Sequence, residues 1–243
     1  QVPTTAGTGS EVTQFATIWD YGISKKYSLS TPKMLADKVY IDSDFLRGIP
    51  YEIALSTGLD ALNQSLESIW NINSTDESLD YAINGACLSL KNLSKIEKLN
   101  ENEQIRQNFM EASLNSGRAI NITRTSICHA ISYPLTLEFG IPHGLACAFS
   151  MLPVLQFNEK EVEEHLEKIQ SIVGRKVVDV ISELFEKENL SNLFQEFIPS
   201  RDSILNLLDN MTTKGRFDNN IRLCSRPDLE RILLKSCERF SIQ

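Results

Sequence analysis

"SLDYAINGACLSLKNL", residues 78–93, repeats apolar side chains at Leu79, Ile83, Ala86 and Leu90, a spacing that gathers them on one face of a helix. Ser74 followed by Glu77 fits a capping box at its start, each side chain satisfying the other's free backbone donor. The same texture runs through everything after Pro50. Helices are expected from about 103 to 120, 125 to 138 and 144 to 157. More follow in "KEVEEHLEKIQSIV" (160–173), "KVVDVISELFEKEN" (176–189), "RDSILNLLDNMT" (201–212) and "PDLERILLKSCERF" (227–240). Before Pro50 the pattern differs. "VTQFATIW" (12–19), "KKYSLS" (25–30) and "KVYID" (38–42) are short runs rich in β-branched and aromatic residues between breakers, and they read as strands. The chain therefore reads as mainly α: a small β-containing entry piece, residues 1–49, joined to an all-α domain, residues 50–243.

With 243 residues, 42% of them hydrophobic and 23% charged, the chain can bury a large core. Its net charge of -8 opposes phosphate backbones and anionic bilayers, so neither nucleic acid nor a membrane is expected as a partner. Local positive charge can still serve a small anionic substrate. Five cysteines without a C-x-x-C pair read as reduced thiols in a cytoplasm. The most apolar stretch, "LACAFSMLPVL" (145–155), falls short of the ~20 residues that span a bilayer. The opening "QVPTTAGTGS" has neither the pattern of a signal peptide nor an initiator methionine, and a missing upstream part is expected.

Three segments carry candidate chemistry. In "STGLDALNQSLES", Asp60, Gln64 and Glu67 stand at i, i+4 and i+7 and share a helix face. Leu59, Ala61, Leu62, Leu66, Ile69 and Trp70 cover much of the remaining circumference, so this polar stripe faces something other than bulk water. "CHAISYPLTLEFGIPHG" (128–144) holds His129 and His143, two of only three histidines. Gly140 and Pro142 turn the chain sharply, and Gly144 permits close packing beside His143. One carboxylate and two imidazoles are the donors that a zinc- or iron-type ion takes. The loop "PTTAGTGSEVT" offers Gly7 and Gly9 for tight backbone approach and hydroxyls at Thr4, Thr5, Thr8 and Ser10, a lining suited to a nucleotide or sugar. It matches no Walker or Rossmann fingerprint.

In order, these three segments resemble the iron-containing (group III) alcohol dehydrogenases over about residues 1–160. The resemblance implies an N-terminal α/β domain that binds NAD or NADP, of which residues 1–49 would be the end, and an all-helical metal and substrate domain from 50 to 243. It implies metal ligands at Asp60, His129 and His143 for iron or zinc. The family's remaining ligand, a histidine, falls on Gln64, whose neutral amide oxygen is a weaker ligand. Tyr133 stands where many members carry a histidine near the nicotinamide, and with His129 and His143 it is a candidate catalytic residue. Lys26 matches a lysine that contacts the cofactor ribose, and Thr4, Thr5 and Thr8 match the loop beside the nicotinamide. The glutamine and the tyrosine are similar to one branch, the phosphonoacetaldehyde reductases. Family members commonly form homodimers.

Arg124, read as one to two helical turns before His129, can grip a phosphonate dianion through parallel hydrogen bonds, with Asn73 and its neighbours Ser74 and Thr75 as further donors. Glu67 is assigned a supporting role, and His165 is read as an exposed helix residue without one. The expectation is NAD(P)-dependent reduction of a small aldehyde, with phosphonoacetaldehyde favoured. A general alcohol dehydrogenase acting on uncharged substrates, or a non-catalytic helical segment, are the alternatives.

Overall fold

Helix α1 (Tyr51–Ile69) is the axis around which the molecule is built. Its apolar residues run nearly all the way round, the pattern of a helix enclosed on every side. Leu59, Leu62, Leu66 and the adjoining Trp70 are fully buried, each worth roughly 1.5–3 kcal/mol relative to an exposed side chain. The neighbours that enclose it are α2 (Asp76–Asn92), α3 (Glu103–Thr123) and α5 (His143–Asn158), with α4 (Ile127–Phe139) laid against α5. An outer group follows: α6 (Glu163–Val173), α7 (Val177–Lys187), α8 (Leu190–Phe197), α9 (Arg201–Leu205) and α10 (Arg226–Arg239). It closes on α5 through Phe149, Phe194 and Phe240, the last two with ring centroids 4.4 Å apart. These elements come from a computed structural model that describes residues 1–243 except Tyr21, Ser24 and Thr213.

Several expected boundaries move. The capping box before α2 is formed by Thr75 and Ser78, not by Ser74 and Glu77. The Ser74 hydroxyl is committed instead to the carbonyls of Ser68 and Asn71. Residues 201–212 break after Leu205 and continue as a 3-10 turn, Leu208–Met211. Helix α8 is not anticipated from sequence; it is one short stretch entered through Asn189 in the left-handed conformation, φ 51°.

Ahead of α1, β1 (Phe15–Asp20) and β2 (Lys25–Ser30) form an antiparallel hairpin in which Trp19 faces Lys26 across the strands. The strand expected at 38–42 does not form among the described residues. Its backbone meets residue 1 and the next turn: Tyr40 N donates to the Gln1 carbonyl at 3.0 Å, the Gln1 amine to the Lys38 carbonyl at 2.7 Å, and Phe45 N to the Asp42 carbonyl at 3.3 Å. A ladder needs a partner that runs alongside it. The opening loop packs onto the helices. Gly9, at φ 58°, lies so close to α3 that a Cβ there would meet Gly117 Cα at 2.4 Å. That glycine serves helix contact, where sequence had reserved it for a ligand. No described helix is long and apolar enough to cross a membrane.

Candidate active site

Three helices deliver donor atoms to one point. Asp60 comes from the middle of α1, His129 from the first turns of α4, and His143 opens α5 with Cys147 one turn later. Ligand atoms of these four residues all lie within 4.8 Å of one another. What allows it is a backbone contact: a Cβ on Gly144 would sit 1.8 Å from the Ser56 carbonyl oxygen, so only glycine lets α5 approach α1 this closely. Gly140, at φ 70°, ends α4 and reverses the chain into α5.

Glu67 fixes the orientation of His129. The fully buried carboxylate accepts from His129 Nδ1 at 2.6 Å and from the backbone N–H groups of Ser126 and His129 at 3.0 and 3.1 Å. Glu67 thus anchors Nδ1, and Nε2 is turned toward Asp60 Oδ1, 3.3 Å away. A carboxylate behind a histidine is the usual way to orient a metal-binding imidazole. His143 is arranged alike, with Nδ1 3.4 Å from Ser132 Oγ and Nε2 3.9 Å from Cys147 Sγ. Asp60 is 3% exposed, yet its Oδ1 makes no hydrogen bond among the described residues. A buried carboxylate oxygen left unpaired is costly, and an oxygen, two ring nitrogens and a sulfur facing one another suit a divalent cation. The residues present fit such an ion.

Charges inside this cluster shift one another. Burial pushes the Asp60 and Glu67 carboxyls up, but the neighbouring histidines outweigh it and hold both below their ordinary values. Burial opposes a charged imidazole at His129, yet Cys147, Glu67 and Asp60 together raise that ring well above its usual range. His143 rises to about 9, against burial, through Cys147 and Asp60. Tyr133 falls to about 8 despite burial, drawn down chiefly by Lys26, whose ammonium lies 3.3 Å from the Tyr133 ring centroid. Lys26 is itself lowered by burial.

Not every candidate arrives as expected. Gln64 is buried beside the cluster, but its Nε2 donates to Asp60 Oδ2 at 3.0 Å and its Oε1 takes the Ser116 hydroxyl at 3.0 Å. An ionised Asp60 only accepts, so the amide presents its nitrogen there and turns away the oxygen that would bind a metal. Arg124 is not on the helix of His129. It caps α3 at φ 63°, ψ -179°, a backbone region that is essentially glycine's. Asn73 is not among the residues lining the cleft, because its amide is spent on Asn71 Oδ1 and the Thr123 carbonyl. Thr8 lines the cleft, while Thr4 and Thr5 do not. His165 is half-buried on α6, away from the site lining.

The cluster forms the floor of a cleft of about 580 Å³ between the hairpin and the helices. Its walls include Trp19, Tyr133, Arg124, Thr125 and Arg216. The guanidinium carbons of Arg124 and Arg216 lie 5.5 and 5.9 Å from the centroid of the Phe15 ring. Among the described residues neither pairs with a carboxylate. The buried Thr125 hydroxyl has no hydrogen-bond partner among the described residues. Tyr133 stacks on His143 at 5.9 Å with 7° between the rings, and Trp19 stands edge-on to both. Sequence reading singles out neither Cys147 nor Arg216. Cys147 had a signal, four residues after His143 on a helix; Arg216, in an aperiodic loop, had none.

The pattern described as "Fe-containing alcohol dehydrogenase family, C-terminal" matches residues 54–236, and "Iron-containing alcohol dehydrogenase" matches residues 1–43. The chain belongs to the iron-containing alcohol dehydrogenase family. It is 41% identical over 158 residues to the phosphonoacetaldehyde reductase of Streptomyces viridochromogenes, covering 65% of this chain and 40% of that protein. To the sulfoacetaldehyde reductase of Bilophila wadsworthia it is 33% identical over 150 residues, 61% of this chain and 38% of that one. The structure of a sulfoacetaldehyde reductase from Bifidobacterium kashiwanohense in complex with NAD+ superposes with a TM-score of 0.85 at 27% identity, over 96% of this chain and 63% of the other. The chain thus spans less than half the length of these two curated relatives.

Proposed function

We propose that the protein carrying this chain reduces a small aldehyde with an anionic end, phosphonoacetaldehyde being favoured, to the corresponding alcohol, with NADH or NADPH and a divalent ion of the iron or zinc type. The observation that carries this reading is a metal-type cluster and two guanidinium groups without a carboxylate partner, among the described residues, in one cleft. Residues 1–49 are read as the end of the dinucleotide-binding domain and residues 50–243 as the metal and substrate domain. Two of the relatives above are named for acetaldehydes that bear a phosphonate or sulfonate group.

Asp60, His129 and His143 would hold the ion, which would supply Lewis acidity to a carbonyl oxygen, while the dinucleotide would supply the hydride. Glu67 keeps His129 Nε2 aimed at the centre. Arg124, Arg216 and the otherwise unpartnered Thr125 hydroxyl receive the anionic group, and the distance from them to the cluster sets which carbonyl is presented. Tyr133, lowered to about 8 with Lys26 beside its ring, returns a proton to the oxygen as the alcohol forms. Trp19 covers the rings of Tyr133 and His143 and limits access of water. Thr8 and Lys26 are assigned to the cofactor side.

Turnover of phosphonoacetaldehyde and of propanal tests the reading in the full-length protein. Charged hydrogen bonds of about 1.5–3 kcal/mol predict a kcat/KM preference for the anion on the order of 10- to 100-fold. Arg124→Ala and Arg216→Ala should each reduce it. Equal efficiency in the unaltered protein contradicts the anion site.

A further inference from the structure

The remaining donor of the cluster is a thiol. Cys147 is fully buried, yet its Sγ does not rest among apolar side chains alone: it faces His143 Nε2 at 3.9 Å and lies within 4.8 Å of the donor atoms of Asp60 and His129. His143 and Cys147 occupy positions i and i+4 at the start of α5, so one rigid turn presents a nitrogen and a sulfur to the same side. An independent observation lies across the cluster, where the buried Asp60 Oδ1 makes no hydrogen bond among the described residues and has His129 Nε2 facing it at 3.3 Å. Resting on the metal-dependent reading above, we propose that Cys147 is the fourth protein ligand of the ion, making the centre an Asp60–His129–His143–Cys147 site that favours zinc.

Charge and ligand type both favour the sulfur. A divalent ion held by one carboxylate, one thiolate and two neutral imidazoles is electrically balanced, which matters among side chains this deeply buried. The thiol proton leaves to solvent as the metal–sulfur bond forms, so binding releases a proton. Thiolate is the softer ligand and shifts preference toward zinc over iron. The competing ligand is Gln64. Its amide already donates to Asp60 and accepts from Ser116, whereas the one polar contact of Cys147 Sγ among the described residues is His143 Nε2 at 3.9 Å. Turning the amide over would offer its oxygen to the ion at the cost of the Asp60 hydrogen bond. It would also let Ser116 Oγ accept from Gln64 and give its single proton to the Ser113 carbonyl at 2.9 Å. The two arrangements differ in one scatterer: sulfur or oxygen.

X-ray absorption at the zinc edge, on the full-length protein stripped and reloaded with one zinc ion, separates them without reference to activity. The proposal expects one sulfur at about 2.3 Å beside nitrogen and oxygen neighbours. Cys147→Ser should lose that sulfur. With cobalt(II) in place of zinc, the same variant should lose the near-ultraviolet sulfur-to-metal band while keeping the visible bands. A shell of nitrogen and oxygen alone in the unaltered protein overturns the proposal and leaves the reductase reading standing. So does a sulfur that persists in Cys147→Ser. Failure of the unaltered protein to bind zinc or cobalt overturns both.

Discussion

Glu67 carries more of the site than its distance from the substrate would suggest. It is the only carboxylate that closes three hydrogen bonds at once in the core of this chain's described residues, and all three go to the start of α4. Glu67→Ala leaves a raised His129 and two backbone donors without an acceptor, and should cost about 3–5 kcal/mol in denaturant unfolding. The pH dependence has a fixed sign. The folded carboxyl titrates below its ordinary 4.5, so the stability it contributes is complete above that value and is lost as pH falls through the folded one. The unaltered protein should therefore lose more stability between about pH 5 and 3 than Glu67→Gln does; parallel acid limbs would remove the carboxylate from this account. Arg124 permits a second test at this scale. Its backbone at φ 63°, ψ -179° costs about 1–3 kcal/mol, a strain that glycine escapes and alanine keeps. Arg124→Gly should unfold at higher denaturant than Arg124→Ala, although both lose the same guanidinium. The reverse order would mean that the backbone is not held in that region.

Among elements, the contact between α1 and α5 decides whether the site exists. Gly144→Ala drives a methyl group into the Ser56 carbonyl, and because the obstacle is backbone the helices must part. The expected outcome is a loss of about 1–3 kcal/mol together with weaker metal binding, since His143 and Cys147 move away from Asp60 as one unit. Stability lost with metal affinity unchanged would show that the cluster does not depend on this approach. Much of this architecture is legible in sequence because it is periodic. The apolar spacing of 78–93 announces α2, and the shared face of Asp60, Gln64 and Glu67 announces that α1 carries buried polar groups. Residues 38–42 misled because β propensity cannot tell whether a partner strand lies alongside. The cap of α2 misled because Ser74 and Thr75 are both good caps, and carbonyls elsewhere claimed the first. Gln64 lies beside the cluster, but sequence does not reveal which end of an amide faces inward; Asp60, which only accepts, decides that.

For the whole molecule, the notable contrast is electrostatic. A chain of net charge -8 keeps Arg124 and Arg216 without carboxylate partners, among the described residues, on the wall of its one metal-type cleft. That placement concentrates positive potential where a small anion would enter. The KM for an anionic aldehyde should therefore rise with ionic strength while that for propanal stays level, and the dependence should weaken in Arg216→Ala. A salt-independent KM would place the two arginines outside the binding step. The central claim is narrower than any of these: Asp60, His129 and His143, far apart in the chain, surround one point that holds an ion. The direct measurement is anomalous diffraction at the metal edge from crystals of the full-length protein grown with zinc. A single strong peak within bonding distance of Asp60 Oδ1, His129 Nε2 and His143 Nε2 is the predicted result, and a peak elsewhere with none among these three atoms would contradict it.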